Sequence, residues 1–532
     1  TLNGIKYKRG SSQVTGSNQT EYQVQQIVPV KTFGDPINGR LFVKNNSTFS
    51  HIPQSSSVAI STGGPEYGAQ AIRQTKDYFK YQPGKSMFFN TAVLFAPNYS
   101  VRNITAEATS IDSIITVTVD NRMHGLQKGC TVRISGISAQ GYDSGPDTGV
   151  DNESDYKVIE IIDDITFTIK AIRPLGSTTP IIDSTTKISV VKWNGASVRT
   201  GIYTDQDGVF WEYDGDKLVT TLRSSTNPLT GSVNINKKTS TVTGTNTKFT
   251  DQLCAGDSVV IKGMTHTVSA VSSDTEFSVS PQWRGINNLV DEKIYKIVDH
   301  RVTQNNFNID KLDGTGPSGY NVDISQIQMI AMQYNWNGGG SVEYLIQGVD
   351  GTYITVHRTR NANIKSQVYM RTANLPVRYE SINIGPRSKL TSAITNSATS
   401  VVVNNSADFP STGVLLIDNE LIEYRSNNTT TNTLSNCVRA AKLKYYHAGS
   451  LRAYTGSTAV AHTAKTGVRF VSQTAHPILN HWTSNYQVDG DYEVNSNKFC
   501  YTTTTQQIDT AVDSNFMIRL APSLSNNLVG DI

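Results

Sequence analysis

The feature that most constrains the fold is a period of two. Ile115-Thr116-Val117-Thr118-Val119 alternates apolar and polar side chains, as do Thr166-Phe167-Thr168-Ile169 and Phe277-Ser278-Val279. β-Branched residues at that spacing form half-buried strands with one face on a core. Helical spacing is scarce. The best stretch, Glu66 to Tyr81, has Tyr, Phe and Thr content that suits a strand equally well. Turn signals punctuate the alternation. Asp214-Gly215 separates Val209–Tyr213 from Leu218-Val219-Thr220, and Gly338-Gly339-Gly340 separates Met329–Trp336 from Val342–Ile346. Asp350-Gly351 precedes Thr352–Val356. Such dipeptides supply the positive φ of tight hairpins, so antiparallel sheets are expected.

A second constraint is an internal repeat. Gly129–Gly136 and Gly256–Gly263 both read G-x-x-V-x-I-x-G. A strand precedes each copy, and a D-x-x-F-x-[IV] string follows it, at Asp164–Ile169 and Asp274–Val279. The first copy is longer by a polar loop around Gly141–Pro146. A third copy starts at Ser400 and runs through Phe409 and Gly413 to Leu415-Leu416-Ile417, without the second glycine. A small sheet with one apolar face closes into a barrel or packs on a neighbour to remove its edges. The copies lack a fixed period, so they are expected as insertions in a parent domain rather than as a solenoid.

The expected class is therefore all-β and multidomain: an antiparallel β-sandwich or jelly-roll-like parent with small inserted β-barrel-like modules. The expected divisions are an N-terminal extended or β segment (1–65), a parent (66–102, 188–230 and 296–385), modules at 103–187, 231–295 and 386–453, and a C-terminal β segment (454–532). A length of 532 residues fits three or four domains at roughly 150 each. Charged residues are only 17%, which disfavours long charged surface helices.

Composition also narrows the partners. There are 47 basic and 44 acidic residues, a net charge of +3. No chain-wide basic field exists, so neither nucleic acid nor an anionic membrane is an expected partner. No run of ~18 apolar residues is present, so membrane insertion through a helix is not expected. The chain opens on Thr1 with no signal-peptide pattern, so it is expected to be processed or part of something longer.

Reactive motifs are missing. There is no nucleophile elbow, Walker loop, H-E-x-x-H or dinucleotide fingerprint. Cys130, Cys254, Cys437 and Cys500 lie 63 or more residues apart, poor for zinc and for a disulfide framework. Asp205-Gln206-Asp207-Gly208 opens like a calcium loop, with Asp214 and Asp216 nearby. It lacks the distal bidentate Glu, so a turn is the favoured reading. Asp163-Asp164 are adjacent, and adjacent strand residues face opposite ways. His476 and His481 flank Pro477 with no acidic or Cys partner in the segment. No catalytic residue, cofactor or metal ligand is assigned, and the chain is expected not to be an enzyme. Hydrolysis stays open only as a set assembled across the fold.

Aromatic residues are the remaining handle. Trp211, Tyr334 and Trp336 lie on strands or beside turns. They are the candidates for glycan or partner contact if exposed, and core packing is the default. Lys76–Lys85 interleaves basic and aromatic residues, which a strand ending in a Pro-Gly turn explains.

Four segments resemble large virion structural proteins of contractile-tailed phages of marine cyanobacteria. They are Arg73–Lys85, Phe307-Asn308-Ile309-Asp310-Lys311-Leu312-Asp313-Gly314-Thr315-Gly316-Pro317-Ser318-Gly319-Tyr320, Met370–Glu380 and Ile518–Asn526. The resemblance runs from about residue 66 to the end. It implies a particle component without a known active site, in a chain that continues past Ile532. The resemblance leaves the place in the particle open; the leading reading is a structural role in the tail, baseplate or fibre assembly, with other virion proteins and copies of itself as partners. The alternatives are a host-surface glycan-binding adhesin, a glycan-degrading tail enzyme, and a capsid-attached fibre or decoration protein.

Overall fold

A computed structural model describes Ser11–Val14 and most of residues 39–488. It leaves out 45–46, 53–55, 63–67, 76–77, 80, 82–83, 97, 121–125, 127–130, 144–154, 164, 448–449, 455–456 and 472–476. Gly129, Cys130, Asp164, His476, Cys500 and the Ile518–Asn526 segment therefore lie outside the described residues, as does much of Lys76–Lys85.

The protein is all-β. Its parent is a sandwich of two antiparallel sheets. The first runs, in spatial order, Tyr353–Thr359, Val342–Gln347, Gln328–Tyr334, Met87–Leu94, Ile478–Val488, Ser57–Ser61 and Thr48–Ile52, with Ser11–Val14 paired to Ile478–Val488. The second runs Gly39–Lys44, Gln70–Thr75, Val377–Ile382, Ser197–Tyr203, Gly208–Tyr213, Leu218–Pro228 and Ile294–Thr303. Alternation decides which face each residue takes. In Met87–Leu94 the buried positions Met87, Phe89, Thr91 and Val93 alternate with half-buried Phe88, Asn90 and Ala92. Trp211 binds the sheets together. It is fully buried, its Nε1 donates to Ala331 O at 3.2 Å, and Tyr344 Oη in the first sheet donates to Thr221 O at 2.7 Å in the second.

The two termini depart from expectation. Their described strands join the parent sheets. Gly39–Lys44, Thr48–Ile52 and Ser57–Ser61 extend the sheets, and Ile478–Val488 lies between Met87–Leu94 and Ser57–Ser61. Local sequence could not reveal this, because a strand in mid-sheet is specified by neighbours far away in the chain.

The turn at Gly338–Gly340 is a hairpin, with Tyr334 opposite Val342. A Cβ on Gly340 would sit 1.6 Å from Asn335 O, so only glycine fits there.

Three modules share one pairing scheme of six strands. In it strand one pairs two, two pairs five, five pairs four, four pairs three, three pairs six, and six returns to one. The first module is Asn98–Ala106, Ile114–Val119, Thr131–Ser135, Tyr156–Ile161, Thr166–Lys170 and Lys187–Lys192, a closed barrel. The second is Ser232–Ile235, Thr241–Thr245, Ser258–Ile261, Met264–Ser273, Glu276–Ser280 and a split sixth strand, Leu289–Glu292 with Ile294–Thr303. The third is Arg387–Lys389, Ser400–Val402, Gly413–Ile417, Glu420–Tyr424, Thr433–Ser435 and Gly467–Val471, with bridges Leu390–Val403 and Glu423–Val438 completing the ring.

Core positions correspond as well. Val117 faces Phe167, Val242 faces Phe277, and Val401 faces Leu434, all fully buried. Val132, Val259 and Leu415 hold one position of the third strand, and Ile134, Ile261 and Ile417 the next inward one. Gly136 and Gly263 follow with φ of 84° and 79°. In the third copy Asp418, at φ 50°, takes the left-handed turn after Ile417.

Strand pairing redraws two expected boundaries. The first module begins at Asn98, inside the expected parent. The third closes only at Gly467–Val471, beyond the expected end at 453, because a barrel needs its sixth strand. The first module shares one continuous apolar core with the sandwich, whereas the second and third have their own cores.

The segment Phe307–Tyr320 seals an edge. Ile309 and Asp310 N–H groups donate to Val356 O at 3.2 and 3.1 Å, and Asn308 exchanges two side-chain bonds with the Arg358 backbone. The outer strand Tyr353–Thr359 is thereby covered, which blunts edge-to-edge pairing. Buried Asp310 organises the loop, accepting from Leu312 N at 2.8 Å and Ser318 N at 2.9 Å. A Cβ on Gly316 would meet the Asp310 carboxylate at 2.3 Å. Gly316→Ala should therefore destabilise the sandwich by about 1–3 kcal/mol through forced repacking. An unchanged melting temperature would show that the loop adjusts freely.

Candidate functional site

The outward face of the second sheet carries charge where a solvent-facing strand would. Alternation sends Val198, Trp211, Leu222 and Tyr379 into the core and Arg199, Glu212, Arg223 and Glu380 to the opposite face. The second and third modules fold over that face and leave a cleft of about 980 Å³. The floor of the cleft is the sheet. One wall includes Asp257 and Thr265 of the second module, and another includes Arg387, Asp408 and Arg469 from the third.

The floor is a laminate of paired charges. Arg223 grips Asp299 with Nε–Oδ1 at 2.7 Å and Nη2–Oδ2 at 2.8 Å. Arg199 lies 3.5 Å from both Glu212 and Glu380. Arg301 reaches Glu212 at 3.3 Å and Asp214 at 3.0 Å. Arg378 binds Asp205 at 2.7 Å, Tyr203 Oη donates to Glu380 at 3.2 Å, and Gln70 also donates to Glu380. Rings separate the cations. The Arg378 and Arg223 guanidinium groups lie 5.3 and 5.7 Å from the Tyr203 ring centroid, and Arg223 and Arg199 lie 5.1 and 5.6 Å from that of Phe210.

Protonation follows from this pairing. Burial raises the Asp299 and Glu212 carboxyls, but Arg223 acting on Asp299, and Arg199 with Arg301 acting on Glu212, outweigh it and hold both below the ordinary range. Burial and the Glu380 charge push the Tyr203 hydroxyl well up. Asp299 and Glu212 thus stay charged at neutral pH. Each of these arginines and carboxylates has an ionic partner, so the floor is a scaffold. Its hydroxyl–carboxylate pair, Tyr203 with Glu380, is one in which burial and the neighbouring charge favour the protonated hydroxyl.

Of the residues singled out in sequence, Asp205, Asp214 and Asp216 line the cleft, and the aromatic candidates fall elsewhere. Trp211 and Tyr334 are buried in the sandwich, 0% and 1% exposed, and so offer no contact surface. Trp336 is half-buried, its Nε1 donating to Met370 O at 3.2 Å and its ring edge-to-face with Tyr81 at 5.5 Å. The three therefore form no shared surface. Asp205-Gln206-Asp207-Gly208 is a turn. Asp205 pairs with Arg378, and buried Asp207 accepts from Ser225 N and Oγ at 2.9 Å. Asp163 caps its own turn through Ile165 N and Thr166 N. Among the described residues no group of three or more His, Cys, Asp or Glu is placed to hold a metal, and no helix is long and apolar enough to cross a membrane.

His481 has a structural place. It stacks on Tyr379 at 3.7 Å and accepts from Arg73 Nη1 at 2.8 Å. Burial first, and the Arg73 charge second, hold it well below the usual imidazole range. Burial also lowers His266, His300 and His357. Burial favours the neutral form of these imidazoles in the fold, whereas the unfolded chain takes up protons below about pH 6.5. Stability should therefore fall as pH drops below about 6.5, by up to about 1.4 kcal/mol per pH unit for His481 alone. Thermal melts from neutral to mildly acidic pH check this, and His481→Gln should flatten the slope. An equal slope in that variant would contradict the assignment.

Sequence reasoning missed the laminate. Its signal was a single charge at alternate strand positions, which is also the pattern of an ordinary wet face.

Comparison with known proteins adds little. No protein-family model and no curated protein matches the chain. Among solved structures, the phage phi92 endosialidase aligns over 78% of this chain and 72% of its own, at 8% identity and a TM-score of 0.12. A likeness that faint carries no statement about fold or activity.

Proposed function

We propose that the chain is a structural component of a tailed-phage virion, in its tail, baseplate or fibre assembly. It acts through contacts with other virion proteins and with copies of itself, and it is not an enzyme. The observation that carries this reading is what the virion-like segments do in the fold. Phe307–Tyr320 seals a sheet edge around Asp310. Met370–Glu380 buries Met370, Ala373, Leu375, Val377 and Tyr379 and becomes a strand of the second sheet. These segments specify scaffold, and none lines an opening with unpaired reactive groups. Three modules of one topology on a sandwich also multiply the outward surfaces available for assembly.

The test is fractionation of purified particles. The chain should remain with the particle through density banding, at a fixed stoichiometry above one copy. Recovery only in the soluble lysate would reject the proposal.

A further inference from the structure

We propose that the outward face of the first sheet is a binding platform for a neutral, hydroxyl-rich glycan. Strand register builds it. One row crosses five adjacent strands as Gln487, Phe88, Gln333, Glu343 and Arg358. The next row places half-buried Asn485 beside half-buried Asn90, with buried Ala331 closing that side of the platform. Met87, Phe89, Thr91 and Val93 point inward, so Phe88 and Asn90 point out, and Phe88 belongs to no buried cluster.

The chemistry is that of sugar recognition. The Phe88 ring meets Tyr353 edge-to-face at 5.5 Å. Tyr353 Oη accepts from Asn90 Nδ2 at 3.0 Å, which fixes the ring and leaves the Tyr353 O–H proton free to donate. Gln333 and Gln487 are exposed, Asn485 is half-buried, and among the described residues none of these three side chains has a hydrogen-bond partner. Aromatic faces accept the C–H surface of a sugar ring, and each free amide offers both a donor and an acceptor to hydroxyls.

Charge and size select the occupant. The charges in these rows, Arg358 and Glu343, neutralise each other at 2.7 Å. An anionic glycan or a nucleic acid therefore meets no unpaired cation. Five strands and two rows cover roughly 270 Å², about a third of the ~800 Å² per partner of a standard protein contact. A few sugar units fit such an area, and a second copy of the chain does not cover itself adequately there. The proposal goes beyond the structural role, since a scaffold protein can also hold a glycan.

The experiment is saturation-transfer NMR on the full chain, away from the particle. The probes are neutral gluco-, galacto- and manno-oligosaccharides, with sialylated and sulfated oligosaccharides as charged comparators. The expected result is binding of at least one neutral probe, equal at low and high salt. Phe88→Ala and Gln333→Ala should each weaken it about tenfold. Trp336→Ala should leave it unchanged. Gln333 is exposed, so its variant keeps the test sound if Phe88→Ala disturbs the sheet. Binding of charged probes only, binding that survives both substitutions, or no neutral probe binding at millimolar concentration would each overturn the proposal.

Discussion

Glu212→Ala is expected to unfold the sandwich at a markedly lower temperature than the parent chain. Glu212 is 2% exposed and lies between Arg199 and Arg301. Removing it leaves Arg199 buried with only Glu380 at 3.5 Å, and Arg301 with only Asp214. Breaking a buried pair from one side costs about 3–5 kcal/mol, because the stranded charge has lost its water and gained nothing. Arg199→Met combined with Glu212→Leu should recover much of that loss, since apolar isosteres need no partner. Calorimetry on the single and paired variants decides it. A melting temperature within a degree or so of the parent for Glu212→Ala would mean that water solvates the floor, and the laminate would then be surface chemistry.

The adjacent residue gives the second large effect from the opposite face. Trp211 is fully buried, with Tyr344 and Phe307 edge-to-face at 5.9 and 6.0 Å. Trp211→Ala removes the largest side chain between the sheets and leaves a cavity that rigid strands cannot close. The expected cost is about 3–5 kcal/mol. For a cooperative unit of this size that lowers the melting temperature by about 6–10 °C. The transition affected should include the first module, whose core is continuous with the sandwich, and spare the second and third, whose cores are separate. Hydrogen exchange should show the same division. Equal loss of protection in all three modules would contradict the separate cores.

The two variants also show what a sequence of this kind discloses. Trp211 and Glu212 sit in Val209–Tyr213, whose strand character is plain from its neighbours and from Asp214-Gly215. Period two says that the two side chains oppose each other. It does not say which face is core, and here both are covered. The module repeat was legible because its turn glycines and inward Val, Ile and Phe recur in order. The third copy was fainter because Asp418 replaces a glycine and Leu434 a phenylalanine. Its last strand was hidden, since it returns from residue 467 after a long excursion. The place of Ile478–Val488 in mid-sheet was equally hidden. Those pairings join residues hundreds of positions apart, and no local pattern records them. The cleft is the extreme case. Arg199, Arg223, Asp299 and Glu380 acquire meaning only when four strands align and two modules close over them.

The central claim is that this fold is a building element of a particle. Cryo-electron microscopy of the purified virion tests it most directly. The account predicts density for a sandwich bearing three six-stranded modules, repeated by the particle's symmetry and buried against other chains over roughly 800 Å² or more per partner. A particle map without that density, or with one copy lacking symmetry mates and large contacts, would contradict it.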